Sequence, residues 1–168
     1  MPVKKGNFVE ERRSEMSQWT HVLGVVRFDS INKLALPELF NKDEITVSEA
    51  NQVYRLFVSS NLPSGSEGPI EVNTILTNRG PTVLITGDLR DFGKEDMLEI
   101  LDWLNDLGRK FYKAVIGNQS VMMIRDAAVR CDVEYDDSVY LITCNKDDDA
   151  FPLSVPFTLE VFKKGERK

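Results

Sequence analysis

The chain holds one histidine, His21, in the stretch Trp19-Thr20-His21-Val22. An imidazole that does catalysis needs a carboxylate to orient it and a nucleophile to act on. No Gly-x-Ser-x-Gly or comparable nucleophile motif is present. His21 is therefore expected to be a structural or ligand-contacting residue at the start of a strand. The second polar group is Gly87-Asp88-Leu89-Arg90-Asp91. Asp88 and Arg90 are two apart, so on a strand they point the same way. An arginine held by aspartates can clamp a phosphate or carboxylate. The same charges can instead pin a strand-to-helix turn, with Asp91 near the helix N-terminus. Arg27-Phe28-Asp29 offers a similar pair. If the two strands are neighbours, the four charges form one cluster.

Ser64-Gly65-Ser66-Glu67-Gly68 is a third candidate. Backbone N–H groups in such a loop can cradle an anion. It lacks the lysine and spacing of a P-loop and does not match G-x-G-x-x-G. The candidate ligand-binding set is thus His21, Arg27, Asp29, Ser64, Ser66, Asp88 and Arg90, with no catalytic residue assigned. The acidic run Asp147-Asp148-Asp149 does not fit an EF-hand and reads as a solvated loop. Cys131 and Cys144 lie in apolar strand-like stretches and read as small buried hydrophobes. Two cysteines and one histidine, scattered along the chain, make no recognisable zinc site. No metal or cofactor is expected.

The elements that position these groups fit one domain. The chain has 168 residues, of which 42% are hydrophobic, enough for a single core. The net charge of −6 argues against general nucleic-acid binding, which calls for a basic excess. No apolar run approaches the ~18 residues of a membrane span. Met1 to Ser17 is charged and has no apolar leader core, so a cytoplasmic location is expected. Residues 1–15 read as a charged arm and 16–168 as the domain.

Trp19 to Asp29 reads as a strand apolar on both faces, hence central in its sheet. Thr46 to Ser59 carries a helical stripe, with Ser48 as its N-cap. Ile70–Leu76 and Thr82–Leu89 flank the turn Asn78-Arg79-Gly80, a hairpin signal. Lys94 to Lys110 is the clearest amphipathic helix, with Gly108 near its end and Trp103 on the margin of its stripe. Tyr112 to Ile116 reads as a short apolar segment. Val121 to Cys144 reads as an added hairpin, and Phe151 to Phe162 as a late edge strand. The expected fold is α+β: an antiparallel sheet with two helices on one face, built as a ferredoxin-like βαββαβ core plus that C-terminal hairpin.

Trp19-Thr20-His21-Val22, Arg27-Phe28-Asp29, Gly65-Ser66-Glu67-Gly68 and Gly87-Asp88-Leu89-Arg90-Asp91 together resemble small uncharacterised proteins encoded by bacteriophages. The resemblance spans roughly Met16 to Tyr135. It implies a bacterial host cytoplasm and carries no catalytic residue with it. Small acidic phage proteins without catalytic motifs commonly act by binding. The expected function is a non-catalytic binding protein, a counter-defence or host-takeover factor that binds a host protein or sequesters a nucleotide messenger. Two alternatives stand beside it. One is a small nucleotide-processing hydrolase with His21 and Asp88 as acid and base. The other is a structural protein that forms homo-oligomers through its sheet.

Overall fold

A computed structural model describes residues 17–30, 42–77, 80–117, 122–145 and 157–165. The charged arm, the Asp147–Asp149 run and the turn residues Asn78 and Arg79 lie outside the described residues. In chain order the elements are β1 (Trp19–Ser30), α1 (Lys42–Val58), β2 (Ser64–Gly65), β3 (Gly68–Pro69), β4 (Glu71–Thr77), β5 (Gly80–Arg90), α2 (Met97–Ile116), β6 (Met122–Val133), β7 (Ser138–Asn145) and β8 (Thr158–Lys163). A 3-10 turn at Lys94–Asp96 leads into α2. No described helix is long and apolar enough to cross a membrane.

Six strands form one antiparallel sheet in the order β4-β5-β1-β6-β7-β8. β1 pairs antiparallel with β5 on one side and with β6 on the other. β4 and β5 form a hairpin. The connection from β1 through α1 reaches β4 by passing over β5, and the one from β5 through α2 reaches β6 by passing over β1. The fold is mixed α+β, with a mainly antiparallel sheet and, among the described residues, two α-helices.

Both described helices lie on one face. α1 covers β4 and β5 and α2 covers β6. The inward residues alternate along each strand: Val22, Val26 and Phe28 on β1, Val83, Ile85 and Leu89 on β5, Val129, Cys131 and Val133 on β6. Phe57 of α1 joins the layers. Its ring meets Phe28 edge-on at 6.1 Å, Phe111 at 5.9 Å and Trp103 edge-on at 6.0 Å. Such ring contacts add to the area term of aromatic burial.

Four sequence expectations change. Tyr112 to Ile116 is the end of α2 rather than a separate segment, and Gly108 lies inside that helix. The spacing Met97, Ile100, Leu104, Leu107, Phe111 explains why. It continues the buried stripe one turn past Lys110, and Phe111 locks against Phe28 at 4.8 Å. Trp103 is not marginal: it is 6% exposed, and its Nε1–H donates to Ser60 Oγ at 2.9 Å. Ser48 is no N-cap, because α1 already begins at Lys42. Finally, β6 is not half of an appended hairpin. It is hydrogen-bonded along its length to β1 as well as to β7.

The two cysteines are buried on the same sheet face. Cys131 lies opposite Tyr140, four residues from Cys144 along β7. At ~3.4 Å per residue that is about 14 Å, beyond the reach of a disulfide. Burial pushes the Cys131 thiol up to about 12.

Candidate functional site

β1 is central, yet only its even-numbered residues face the helices. Its odd residues point to the other side of the sheet, where no described element covers them. Leu23 is 65% exposed there. Cross-strand register builds this face row by row, since paired residues share a side. One row runs Glu71, Thr86, Leu23, Arg130, Leu141, Glu160. The next runs Asn73, Leu84, Val25, Ala128, Thr143. The middle of the face is thus a mainly apolar band: Leu23, Val25, Leu84, Ala128 and Leu141.

At one end of this band sits His21, directly between Asp88 on β5 and Asp132 on β6. Its Nδ1 is 2.6 Å from Asp88 Oδ1, and its Nε2 is 3.4 Å from Glu134 Oε1. The side chains of His21, Asp88 and Glu134 are 50%, 70% and 37% exposed. The hydrogen bond to Asp88 and the nearby Glu134 hold the imidazole above the usual histidine range, against the opposing effect of partial burial. Asp132 accepts from Lys164 at 2.6 Å and lies 3.3 Å from Arg130, which hold its carboxyl below its ordinary value.

A folded-state value above about 6.5 has a fixed sign in stability. The contribution of His21 is present in full below that pH and is lost as pH rises through the raised value. In urea unfolding, the midpoint of His21→Asn is expected to fall below that of the parent at about pH 6 and to converge on it near pH 9. A difference that grew with pH would contradict this assignment.

The remaining candidates separate. Arg90 donates to Ser17 Oγ from Nε and Nη2 (3.0 and 2.9 Å), pairs with Glu67 at 2.5 Å and lies 6.0 Å over the Trp19 ring. Ser66 Oγ donates to Asp91 at 2.6 Å, while Ser64 Oγ only reaches the Gly65 carbonyl at 3.1 Å. The β2–β3 ribbon is therefore stitched onto the end of β5, and its hydroxyls serve the protein. Asp91 and Tyr135, at this same end, are both left-handed at φ 57° and 62°. Non-glycine residues take that conformation at a cost and often near functional surfaces.

Arg27 and Asp29 lie at the opposite end of the sheet, which overturns the single four-charge cluster. Arg27 faces Thr82 while Arg90 faces Trp19. That is eight residues along β1, about 27 Å. The antiparallel pairing puts the ends of β1 and β5 at opposite poles, so two strand-end motifs cannot meet. Arg27 instead pairs with Asp126 at 2.5 Å, and Arg125 reaches Asp29 at 3.6 Å. The bulge opposite Arg27 and Phe28 brings Arg125 in beside Asp126.

Glu134, Asp132 and Lys164 were not singled out by the sequence. The alternation Arg130, Asp132, Glu134 does mark a water-facing side of a strand. Only the register of β6 on β1 places that side next to His21. Among the described residues, no group of three or more His, Cys, Asp or Glu is arranged to hold a metal. A cavity of about 460 Å³ lies away from this face, between Ser60 and Asn61 after α1 and Asp102, Trp103, Asp106 and Lys110 of α2. It contains none of the seven ligand-binding candidates named from the sequence.

No family model matches the chain, and no curated protein or solved structure matches it either. The site must be read from its geometry. Both nitrogens of His21 face carboxylates, and no described serine, threonine or cysteine hydrogen-bonds to it. An imidazole so bridged is poorly placed to accept a proton from a nucleophile. Arg27 and Arg90 each already hold a carboxylate and stand at opposite poles, so they do not converge on one small anion.

Proposed function

We propose that this protein is a non-catalytic binding protein that docks a protein partner on the sheet face opposite its described helices. The observation that carries the reading is the apolar band centred on Leu23, which no described element covers. Leu23 stands exposed among half-buried Val25, Leu84 and Leu141 and exposed Ala128, and a contiguous apolar patch is the kind of surface that marks an interaction site. The fold supporting it reads as a ferredoxin-like, split-βαβ core of β1, α1, β4, β5, α2 and β6, extended at the edge by β7 and β8. The likeness to bacteriophage proteins points to a host protein as the partner and to a counter-defence or takeover role. Of the two ligand classes, a host protein is favoured over a nucleotide messenger, because the arginines that would grip phosphates are separated and already paired.

A photo-cross-linking residue at position 23 tests this in a producing bacterium. The control carries it at Leu98, which is 60% exposed on the helical side. One discrete protein adduct from position 23 and none from position 98 is the expected result. Adducts from position 98 alone would end the reading. So would calorimetric binding of a cyclic nucleotide that Arg90→Ala abolishes.

A further inference from the structure

We infer that the partner presents to this face an amphipathic helix whose apolar stripe is flanked by lysine or arginine side chains. The inference rests on the docking reading above and adds the chemistry of the occupant.

The charges of the face are unequally matched. Arg27 is taken by Asp126 and Arg125 by Asp29, while Arg130 and Lys164 both lie against Asp132. These described cations are therefore spent inside the molecule. The carboxylates are not. Asp88 and Glu134 share a single imidazole. Glu71 and Glu160, at the two edges of the Leu23 row, have no ion pair among the described residues. The surplus surrounding the apolar band is acidic, and its complement is basic. An acidic partner would meet like charge at the His21 end and at both edges, which disfavours binding. A helix supplies the missing layer in the simplest way. A sheet face that no described element covers is completed by a helix laid on it, and a helix delivers an apolar stripe with charged flanks at i, i+3, i+4 and i+7 spacing.

His21 then tunes the surface. Asp88 faces it from β5 and Glu134 from the turn after β6. Asp132, opposite it on β6, is already held by Lys164 and Arg130. Loss of the imidazole proton adds one unit of negative charge at that end and frees Asp88 and Glu134 for incoming cations. Binding of a basic helix therefore strengthens as the pH rises.

The test uses two labelled synthetic helical peptides with the same leucine stripe, one flanked by lysines and one by glutamates, titrated with the whole protein by fluorescence anisotropy. The lysine-flanked peptide is expected to bind at least about tenfold more tightly. Its affinity should drop about tenfold or more with Leu23→Asp, and severalfold with Asp88→Asn combined with Glu134→Gln. It should also weaken with added salt and strengthen from about pH 6 to pH 8 in the parent but not in His21→Asn. All substituted side chains are exposed or half-exposed, and circular dichroism is the check that each variant is folded. Equal or tighter binding of the glutamate-flanked peptide, still lost with Leu23→Asp, overturns the charge assignment and leaves the docking reading standing. Peptide binding indifferent to Leu23→Asp, or no binding of either peptide, overturns the assignment of a helix to this face. Self-association by light scattering that Leu23→Asp abolishes gives the face to a second copy and overturns both.

Discussion

Phe57→Ala is expected to lower the free energy of unfolding by about 3–5 kcal/mol. Folded domains of this size have only about 5–15 kcal/mol to lose. Phe57 is the one ring that touches α2 at two points and β1 at a third. It is 1% exposed, so truncation leaves a void between three elements that no single side chain can fill. Urea unfolding followed by far-ultraviolet circular dichroism reads the change directly. Phe57→Leu, which keeps most of the volume, should recover more than half of the loss. A decrease under about 1 kcal/mol for the alanine variant would mean that the helices close over the gap, and that Phe57 is not what holds them to the sheet.

The second large effect concerns Gly65. A methyl group there would sit 2.5 Å from the Arg90 carbonyl oxygen and 2.6 Å from the Arg90 nitrogen. Both are backbone atoms of a central strand and cannot swing aside. Gly65→Ala is expected to cost about 1–3 kcal/mol and to lift the β2–β3 ribbon from β5. Three ties should go together: Ser66 N–H to Arg90 O at 2.9 Å, Ser66 Oγ to Asp91 at 2.6 Å, and Glu67 to Arg90 at 2.5 Å. Amide hydrogen exchange at Ser66 is the sensitive probe, protected in the parent and fast in the variant. Unchanged protection would show that the ribbon can shift without leaving the strand.

These two sites differ in how much of them the amino-acid order reveals. The stripe containing Phe57 is visible as Val53, Tyr54, Phe57 and Val58 at helical spacing, and the α2 stripe is clearer still. The alternation in β1 and β6 likewise marks strands. Periodicity is a local property, so it survives without knowledge of the fold. It also misleads locally. The apolar residues Tyr112 to Ile116 are short enough to pass for a strand, and only the continuation of the Leu104, Leu107, Phe111 row onto Phe28 assigns them to α2.

The site was legible in part. His21 and Asp88 were both candidates, and they do meet at 2.6 Å. Arg27 and Asp29 were grouped with them because all four stand at strand ends. Which ends coincide depends on strand direction, and direction is set by connections many residues long. Glu134 is 113 residues from its partner His21, a contact fixed by register rather than by any motif. The Leu23 face was hidden for a related reason. Residues apolar on both sides of a strand imply burial on both sides. In this sheet no described element covers one side, and that departure is what the docking proposal builds on.

The central position of β1 bears finally on how the protein comes into being. The strand made first is the one that both halves of the sheet need. Its neighbour β6 ends at Val133, and the backbone bond between Glu134 and Trp19 closes a span of 115 residues. At about 5–20 residues per second of ribosomal synthesis, β1 waits roughly 6–23 s for that neighbour. Few of its pairings are local, so folding speed is set by the search for distant strands rather than by hairpin closure. Until β5 emerges, Val22, Val25 and Val26 sit on a ribbon with two open edges, and one edge stays open until β6 follows. Nascent chains stalled before β6 are thus the form of this protein in greatest need of a chaperone.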